Sequence, residues 1–184
     1  MKYLLAFVLI FSSAFSWGGN MSSNKQTAYL AGGCFWGVED LIRKLPGVLS
    51  TDVGYAGGKS SKPTYSDVKT GSTGHAEAVK IEFDASKTSY GKILDYFFKI
   101  HDPTTVDRQG NDVGTQYRSV IFFTDSTQEK EAREAIKRAT ASGRWKSEIV
   151  TRLEPFQSFT MGEDYHQDYL VKNPQGYTCH WVRP

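Results

Sequence analysis

Cysteine is scarce in this chain: two of 184 residues, Cys34 and Cys179. No Cys-x-x-Cys or His-x-x-x-His spacing occurs, so the close-set ligands of a zinc site are missing. There is no basic run interleaved with aromatics. Lys and Arg are scattered through a chain of formal net charge +2, which excludes the electrostatic footprint of a nucleic-acid binder. No apolar run reaches the ~20 residues that span a bilayer. No internal repeat or interdomain linker is visible. What is plentiful is aromatic side chain: 10 Tyr, 11 Phe and 4 Trp, 14% of the residues. That supply can fill a core and line an apolar pocket.

The start of the chain differs from the rest. Met1-Lys2 is a short positive opening, Tyr3 to Phe11 an apolar run, and Ser12-Ser13-Ala14-Phe15-Ser16 a small-residue stretch. Ala14-x-Ser16 fits a signal-peptidase site before Trp17. Residues 1–16 therefore read as a signal peptide, 17–26 as a flexible leader and 27–184 as one domain. The expectation is an exported protein, periplasmic or secreted, without a membrane anchor after cleavage. In that setting two cysteines by default form a structural disulfide, and closing a loop of about 145 residues would stabilise by about 5 kcal/mol on the chain-entropy model.

Hydrophobic periodicity lays out the elements. Thr27–Ala31 reads as a strand, and Gly32-Gly33 as a turn. Val38, Leu41, Ile42 and Leu45 mark a helix that Pro46-Gly47 stops. Val48–Tyr55 reads as a strand, residues 56–75 as a long polar loop, and Glu77–Phe83 as a strand with Val79, Ile81 and Phe83 on one face. Ser89–Ile100 reads as a helix, 104–117 as a second loop and Arg118–Thr124 as a strand. Ser126-x-x-Glu129 reads as a capping box opening a helix that ends near Gly143. Glu148–Leu153 (strand), Glu163–Lys172 (short helix) and a Gly-containing tail from Asn173 follow. The order predicts an α+β fold with a ferredoxin-like split β-α-β core, a mixed sheet, long functional loops and extra C-terminal elements.

Chemistry concentrates at a few positions. Cys34 follows two glycines at a helix start, where unpaired N–H groups and partial positive charge favour thiolate. Glu77 shares strand parity with Val79, Ile81 and Phe83. A carboxyl in line with an apolar face has a raised pKa and can donate a proton; at a strand end it can equally reach water or a lysine. Phe35 and Trp36 flank the thiol, as core residues or as the wall of a methyl-sized pocket. Tyr65 and Tyr117 lie in the two loops, where a hydroxyl can donate to an oxyanion or simply pack. Asp112, in Gly110-Asn111-Asp112, can serve its own turn. A cysteine hydrolase using His75, His101 or His166 as base, and a binding module stapled by Cys34–Cys179, are the alternatives.

Several blocks resemble the A-type peptide-methionine sulfoxide reductases: Gly33-Cys34-Phe35-Trp36-Gly37-Val38-Glu39, Val53-Gly54-Tyr55-Ala56-Gly57-Gly58, Pro63-Thr64-Tyr65, Thr73-Gly74-His75-Ala76-Glu77-Ala78-Val79, His101-Asp102-Pro103, Arg108-Gln109-Gly110-Asn111-Asp112, Gly114-Thr115-Gln116-Tyr117-Arg118-Ser119 and Glu163-Asp164-Tyr165-His166-Gln167. The resemblance spans roughly residues 27–178. It implies that Cys34 attacks the sulfoxide sulfur, Glu77 protonates its oxygen, Tyr65 and Tyr117 hydrogen-bond that oxygen, Asp112 orients the substrate, and Phe35 and Trp36 hold the methyl group. It further implies methionine S-sulfoxide as substrate, no cofactor, and a cysteine sulfenic acid that a second thiol resolves. A thioredoxin-like carrier then reduces the disulfide. A monomer is expected. Only Cys179 is available as the resolving thiol, in a tail expected to swing. The chain departs from the family here. Its Gly176-Tyr177-Thr178-Cys179 places the cysteine one residue later than the usual position directly after Gly-Tyr.

Overall fold

A computed structural model describes residues 24–184; the signal-peptide expectation and residues 17–23 of the leader lie outside the described residues. Strand β1 (Lys25–Gly32) starts earlier than expected. Lys25 and Gln26 already pair with Asp84 and Phe83 of β3 (Ala76–Asp84). Helix α1 (Phe35–Ile42), β2 (Val48–Ala56), α3 (Tyr90–Ile100) and β6 (Ser119–Phe123) complete the inner motif. The sheet order is β7-β6-β1-β3-β2-β8. β1 runs antiparallel to β3 and β6, and β2 antiparallel to β3. This is the ferredoxin-like split β-α-β arrangement. β7 (Arg152–Pro155) joins β6 in parallel and β8 (Phe159–Met161) joins β2 antiparallel, which makes the sheet mixed.

The helices cover one face. Ile93, Leu94 and Phe97 of α3 and Val38 and Ile42 of α1 pack on Val53, Val79, Ile81 and Phe83. Each such side chain contributes roughly 1.5–3 kcal/mol when fully buried. The Ser89 hydroxyl caps α3 by accepting from the Lys92 N–H at 3.3 Å. The opposite face carries a smaller cluster of Ala31, Ala56, Ala78, Val120 and Phe122. It lies under Tyr29, Phe156 and Phe159. The site end of β3 is therefore buried on both faces, although its far end alternates as expected.

Five further departures from the expected pattern follow. Helix α4 (Ser126–Ala141) is capped by Asp125, whose carboxylate accepts from the Thr127 and Gln128 N–H groups at 2.8 and 2.9 Å. Ser126 is already helical. An extended Asp with two amides in reach also complements the helix dipole better than a hydroxyl one residue on. The strand expected at 148–153 begins at Arg152, because the Val150 N–H bonds the Pro103 carbonyl instead of a strand partner. The helix expected from Glu163 is only α5 (Tyr169–Lys172), since Asp168 takes a left-handed φ of 54°. The two loops are structured. The first holds α2 (Tyr65–Val68), closed by a Thr64–Asp67 capping box. The second holds the hairpin β4 (Arg108–Gln109) and β5 (Asp112–Val113), then a 3-10 turn Thr115–Tyr117. The tail, finally, is seated at Cys179 and His180, 9% and 6% exposed, while Tyr177 and Trp181 beside them stay exposed.

Candidate active site

Helix α1 begins directly after Cys34, which takes φ −52° and ψ 118° as its N-cap. The thiol is 6% exposed. Opposite it, β3 delivers Glu77, in register with Tyr55 of β2 and 3% exposed. Glu77 Oε2 accepts the Phe35 N–H at 3.1 Å, one of the free amides of the first turn. Burial raises its carboxyl to about 8, with Asp112 pushing the same way and the Phe35 amide opposing. Glu77 thus carries a proton at neutral pH.

The same burial acts on Cys34. It drives the thiol well above its usual range, and a charged Glu77 would drive it further; the Trp36 N–H pulls it back. The helix start does favour thiolate, as its geometry predicts, but desolvation outweighs it and the resting group is a thiol.

Tyr65, Tyr117 and Asp112 converge on this pair. The hydroxyls of Tyr65 and Tyr117 are held protonated mainly by burial and then by Glu77, and both feel Cys34 and Asp112. Two protonated hydroxyls therefore lie within electrostatic reach of a thiol and an acid. Asp112 Oδ2 accepts from the Tyr177 hydroxyl at 3.1 Å and the Cys179 thiol at 3.4 Å, and so holds the tail.

Phe35 and Trp36 play unequal parts. Phe35 is fully buried and forms a floor, its ring 6.0 Å from Tyr55 and 5.0 Å from His166. Trp36 is half-buried, stacks on Tyr169 at 3.7 Å, and donates its indole N–H to His166 Nδ1 at 3.1 Å. His166 is the hub of this aromatic wall, also meeting Tyr65 at 4.5 Å. Glu163 ties the wall to the sheet: its carboxylate accepts the Tyr55 hydroxyl at 2.6 Å and the Tyr65 N–H at 2.8 Å. In the reductase reading the sequence gave neither Glu163 nor His166 a role; His166 entered only as a possible hydrolase base. Their one signal was that both fall in the Glu163-Asp164-Tyr165-His166-Gln167 block that carries the family resemblance.

Both cysteines are free thiols, so no structural disulfide staples this form. Cys179 lies against Cys34, whose backbone N–H points at its sulfur. Asp112 is the main charge near it, and burial with that charge pushes its thiol up to about 12. Three glycines make the approach possible. A Cβ on Gly110 would stand 2.9 Å from Cys179 Cβ, one on Gly33 3.3 Å from His180 Cε1, and one on Gly37 2.4 Å from Thr178 Oγ1. The histidines a hydrolase would need are engaged elsewhere: His101 with the Phe97 carbonyl and Ser119 hydroxyl, His75 with the Ser60 carbonyl, His166 with Trp36. Among the described residues no three His, Cys, Asp or Glu side chains gather to hold a metal ion.

A ferredoxin-like sheet that seats a buried thiol beside a protonated carboxyl, with a second free thiol in contact, defines a thiol-dependent redox site. Comparison with known proteins narrows the class. The family model described as Peptide methionine sulfoxide reductase matches residues 26–184. Peptide methionine sulfoxide reductase MsrA of Nocardia farcinica is 52% identical over 162 residues, covering 88% of this chain and 93% of the relative. Among solved structures, Mxr1 from Saccharomyces cerevisiae in reduced form aligns with a TM-score of 0.82 at 38% identity, over 87% of this chain and 93% of that one. Mxr1 in complex with Trx2 aligns at 0.60 and 25% identity, over 87% and 91%. The chain belongs to the peptide methionine sulfoxide reductase family and is an oxidoreductase of the A type.

Proposed function

We propose that the protein reduces methionine S-sulfoxide, free or within proteins, through a Cys34 sulfenic acid and then a Cys34–Cys179 disulfide that a thioredoxin-like dithiol recycles. The observation that carries this reading is the burial of Cys34 with a protonated Glu77 and a free Cys179 alongside. A sulfoxide sulfur is a poor electrophile until its oxygen is protonated or hydrogen-bonded. Glu77 supplies the proton, and Tyr65 and Tyr117 supply O–H donors aimed where negative charge collects. Trp36 with the His166 wall receives the methyl group, over the Phe35 floor.

The sulfur of Cys34 attacks the sulfoxide sulfur, and the oxygen passes to Cys34. The S–H thus becomes S–O–H, the thioether gains two electrons, and Cys34 loses two. Attack by Cys179 on the Cys34 sulfur then expels that oxygen as water and leaves a disulfide. The complex of Mxr1 with Trx2 supports a thioredoxin-like carrier for the final exchange. The preference for the S epimer rests on the likeness to relatives named MsrA.

The test offers each sulfoxide epimer separately with dithiothreitol to the parent and to Cys34→Ser. The expected result is methionine from the S epimer only, and none from the variant. Turnover in Cys34→Ser, or equal use of both epimers, overturns the reading.

A further inference from the structure

We propose that His180 is the proton acceptor for Cys179 when that thiol attacks the oxidised Cys34, a step that rests on Cys179 being the resolving thiol. His180 Nε2 lies 2.7 Å from the Gly32 carbonyl oxygen. A carbonyl only accepts, so Nε2 must carry the ring proton. In a neutral imidazole the other nitrogen then holds a lone pair, and Nδ1 lies 3.5 Å from the Cys179 sulfur. The tautomer leaves one sense for this contact: S–H donates to Nδ1. Burial holds His180 near 4, so Nδ1 is unprotonated at neutral pH. The ring is also fixed in place. The His180 N–H donates to Thr178 Oγ1 at 3.1 Å, and Gly33 and Gly37 leave the space it fills. Because Gly32 stands two residues before Cys34, the same imidazole ties the resolving thiol to the loop that presents the nucleophile.

A second acceptor competes for this proton. Asp112 Oδ2 is 3.4 Å from the same sulfur and also takes the Tyr177 hydroxyl. Its negative charge stabilises the S–H form and opposes a thiolate, which is why it heads the charges raising Cys179. His180 acts in the opposite sense. Once it accepts the proton it is a cation against the thiolate, and each stabilises the other. The remaining groups facing the pair are Cys34 and Tyr177 at the sulfur, and His101 and Arg183 at the imidazole. The step balances. Nδ1 takes the thiol proton, the Cys179 sulfur donates its electron pair to the Cys34 sulfur, and the S–O bond breaks. The departing hydroxide takes up the proton as water, so His180 finishes neutral.

The experiment mixes reduced enzyme with one equivalent of sulfoxide and no reductant. It follows methionine release, sulfenic acid trapped by a 1,3-diketone, and loss of both thiols. His180→Gln keeps an amide donor for the Gly32 carbonyl but removes the Nδ1 acceptor. In this variant the disulfide should form about 10²-fold more slowly, with sulfenic acid accumulating after methionine is released, and added imidazole should restore part of the rate. In the parent the rate of disulfide formation should be flat from pH 6 to 8. An unassisted thiol that must ionise into solvent would instead speed up about tenfold per pH unit. If the parent never forms the Cys34–Cys179 disulfide, the resolving role of Cys179 falls and this proposal with it. If the parent forms it and His180→Gln forms it as fast, only the role of His180 falls. Should the variant fail to release methionine, the parent profile decides alone: a tenfold rise per pH unit overturns the proposal.

Discussion

Cys34 and Glu77 share one dry pocket and depend on each other for their protonation states. Burial raises both, so the resting pair is a thiol beside a neutral acid. The proton on Glu77 serves two ends: it is the one the substrate oxygen receives, and while it stays it removes a negative charge that would hold Cys34 protonated. Glu77→Gln keeps a carbonyl oxygen for the Phe35 N–H and the shape of the side chain, but cannot donate a proton. The sulfoxide step in single turnover should slow by about 10²–10⁴-fold with the fold intact. Methionine release at the parental rate would show that the proton comes from another group. At this scale strand parity alone placed Glu77 on the apolar face. It could not place Glu163, His166 or His180, because a single polar residue in irregular chain has no period to read.

Helix α1 and the tail form one packed unit at the level of elements. Thr178 and His180 press on Gly37, and Cys179 on Gly110. Arg183 continues the attachment: its N–H bonds the Lys99 carbonyl at 2.9 Å and its guanidinium lies 4.1 Å from the Trp181 ring centre. Arg144 holds the carbonyls of Arg183 and Pro184. The sequence suggested a swinging tail from its Pro and Gly content, yet glycines in other elements give it a seat. Gly37→Ala is the sharpest probe of that seat. In an isolated helix alanine would add about 1 kcal/mol. Here its Cβ would stand 2.6 Å from His180 Nδ1, and overpacking of that kind costs about 1–3 kcal/mol. Disulfide formation should slow roughly tenfold or more, and amide exchange at 178–184 should quicken. Unchanged exchange there, with a more stable α1, would mean the tail does not rest on this glycine.

For the whole molecule, buried titratable groups set the pH range of stability. His101 and His180 are neutral in the fold, lowered to about 3 and 4 by burial. Below the unfolded value of ~6.5 the unfolded chain binds the extra protons, so each histidine makes stability fall as pH drops, by up to about 1.4 kcal/mol per pH unit. Glu77 and Glu39 work oppositely. They are raised to about 8 and 7 by burial, and the fold keeps protons that the unfolded chain loses above ~4.3. Their contribution fades as pH rises through 7 and 8. Between roughly 4.5 and 6.5 the two pairs offset one another. His75 and His166, also lowered by burial, tilt that plateau upward. Stability of the reduced protein should therefore peak near pH 6 to 6.5 and decline on both sides. Denaturant midpoints from pH 4 to 9 measure this. A midpoint still climbing from 6.5 to 8 would contradict it, and Glu77→Gln should lessen the alkaline decline.

Local pattern in the sequence determined β1, α1, β2, β3, α3 and β6, their ferredoxin-like order and the face on which Glu77 sits, because the periods of 2 and 3.6 report burial directly. Several separate motif blocks in one order pointed to the family. Only the tertiary structure decided that Asp125 rather than Ser126 caps α4, and that the helix expected from Glu163 is broken at Asp168. Those outcomes turn on which amides and carbonyls find partners across the fold. The tertiary structure alone also decided the state of Cys34, since a helix start favours thiolate but the depth of burial outweighs it. It alone set Cys179 against Cys34, across 145 residues of chain, because the seat is made by Gly33 and Gly37 around the start of α1 and by Gly110 in the β4–β5 turn, and no sequence period links these to the tail.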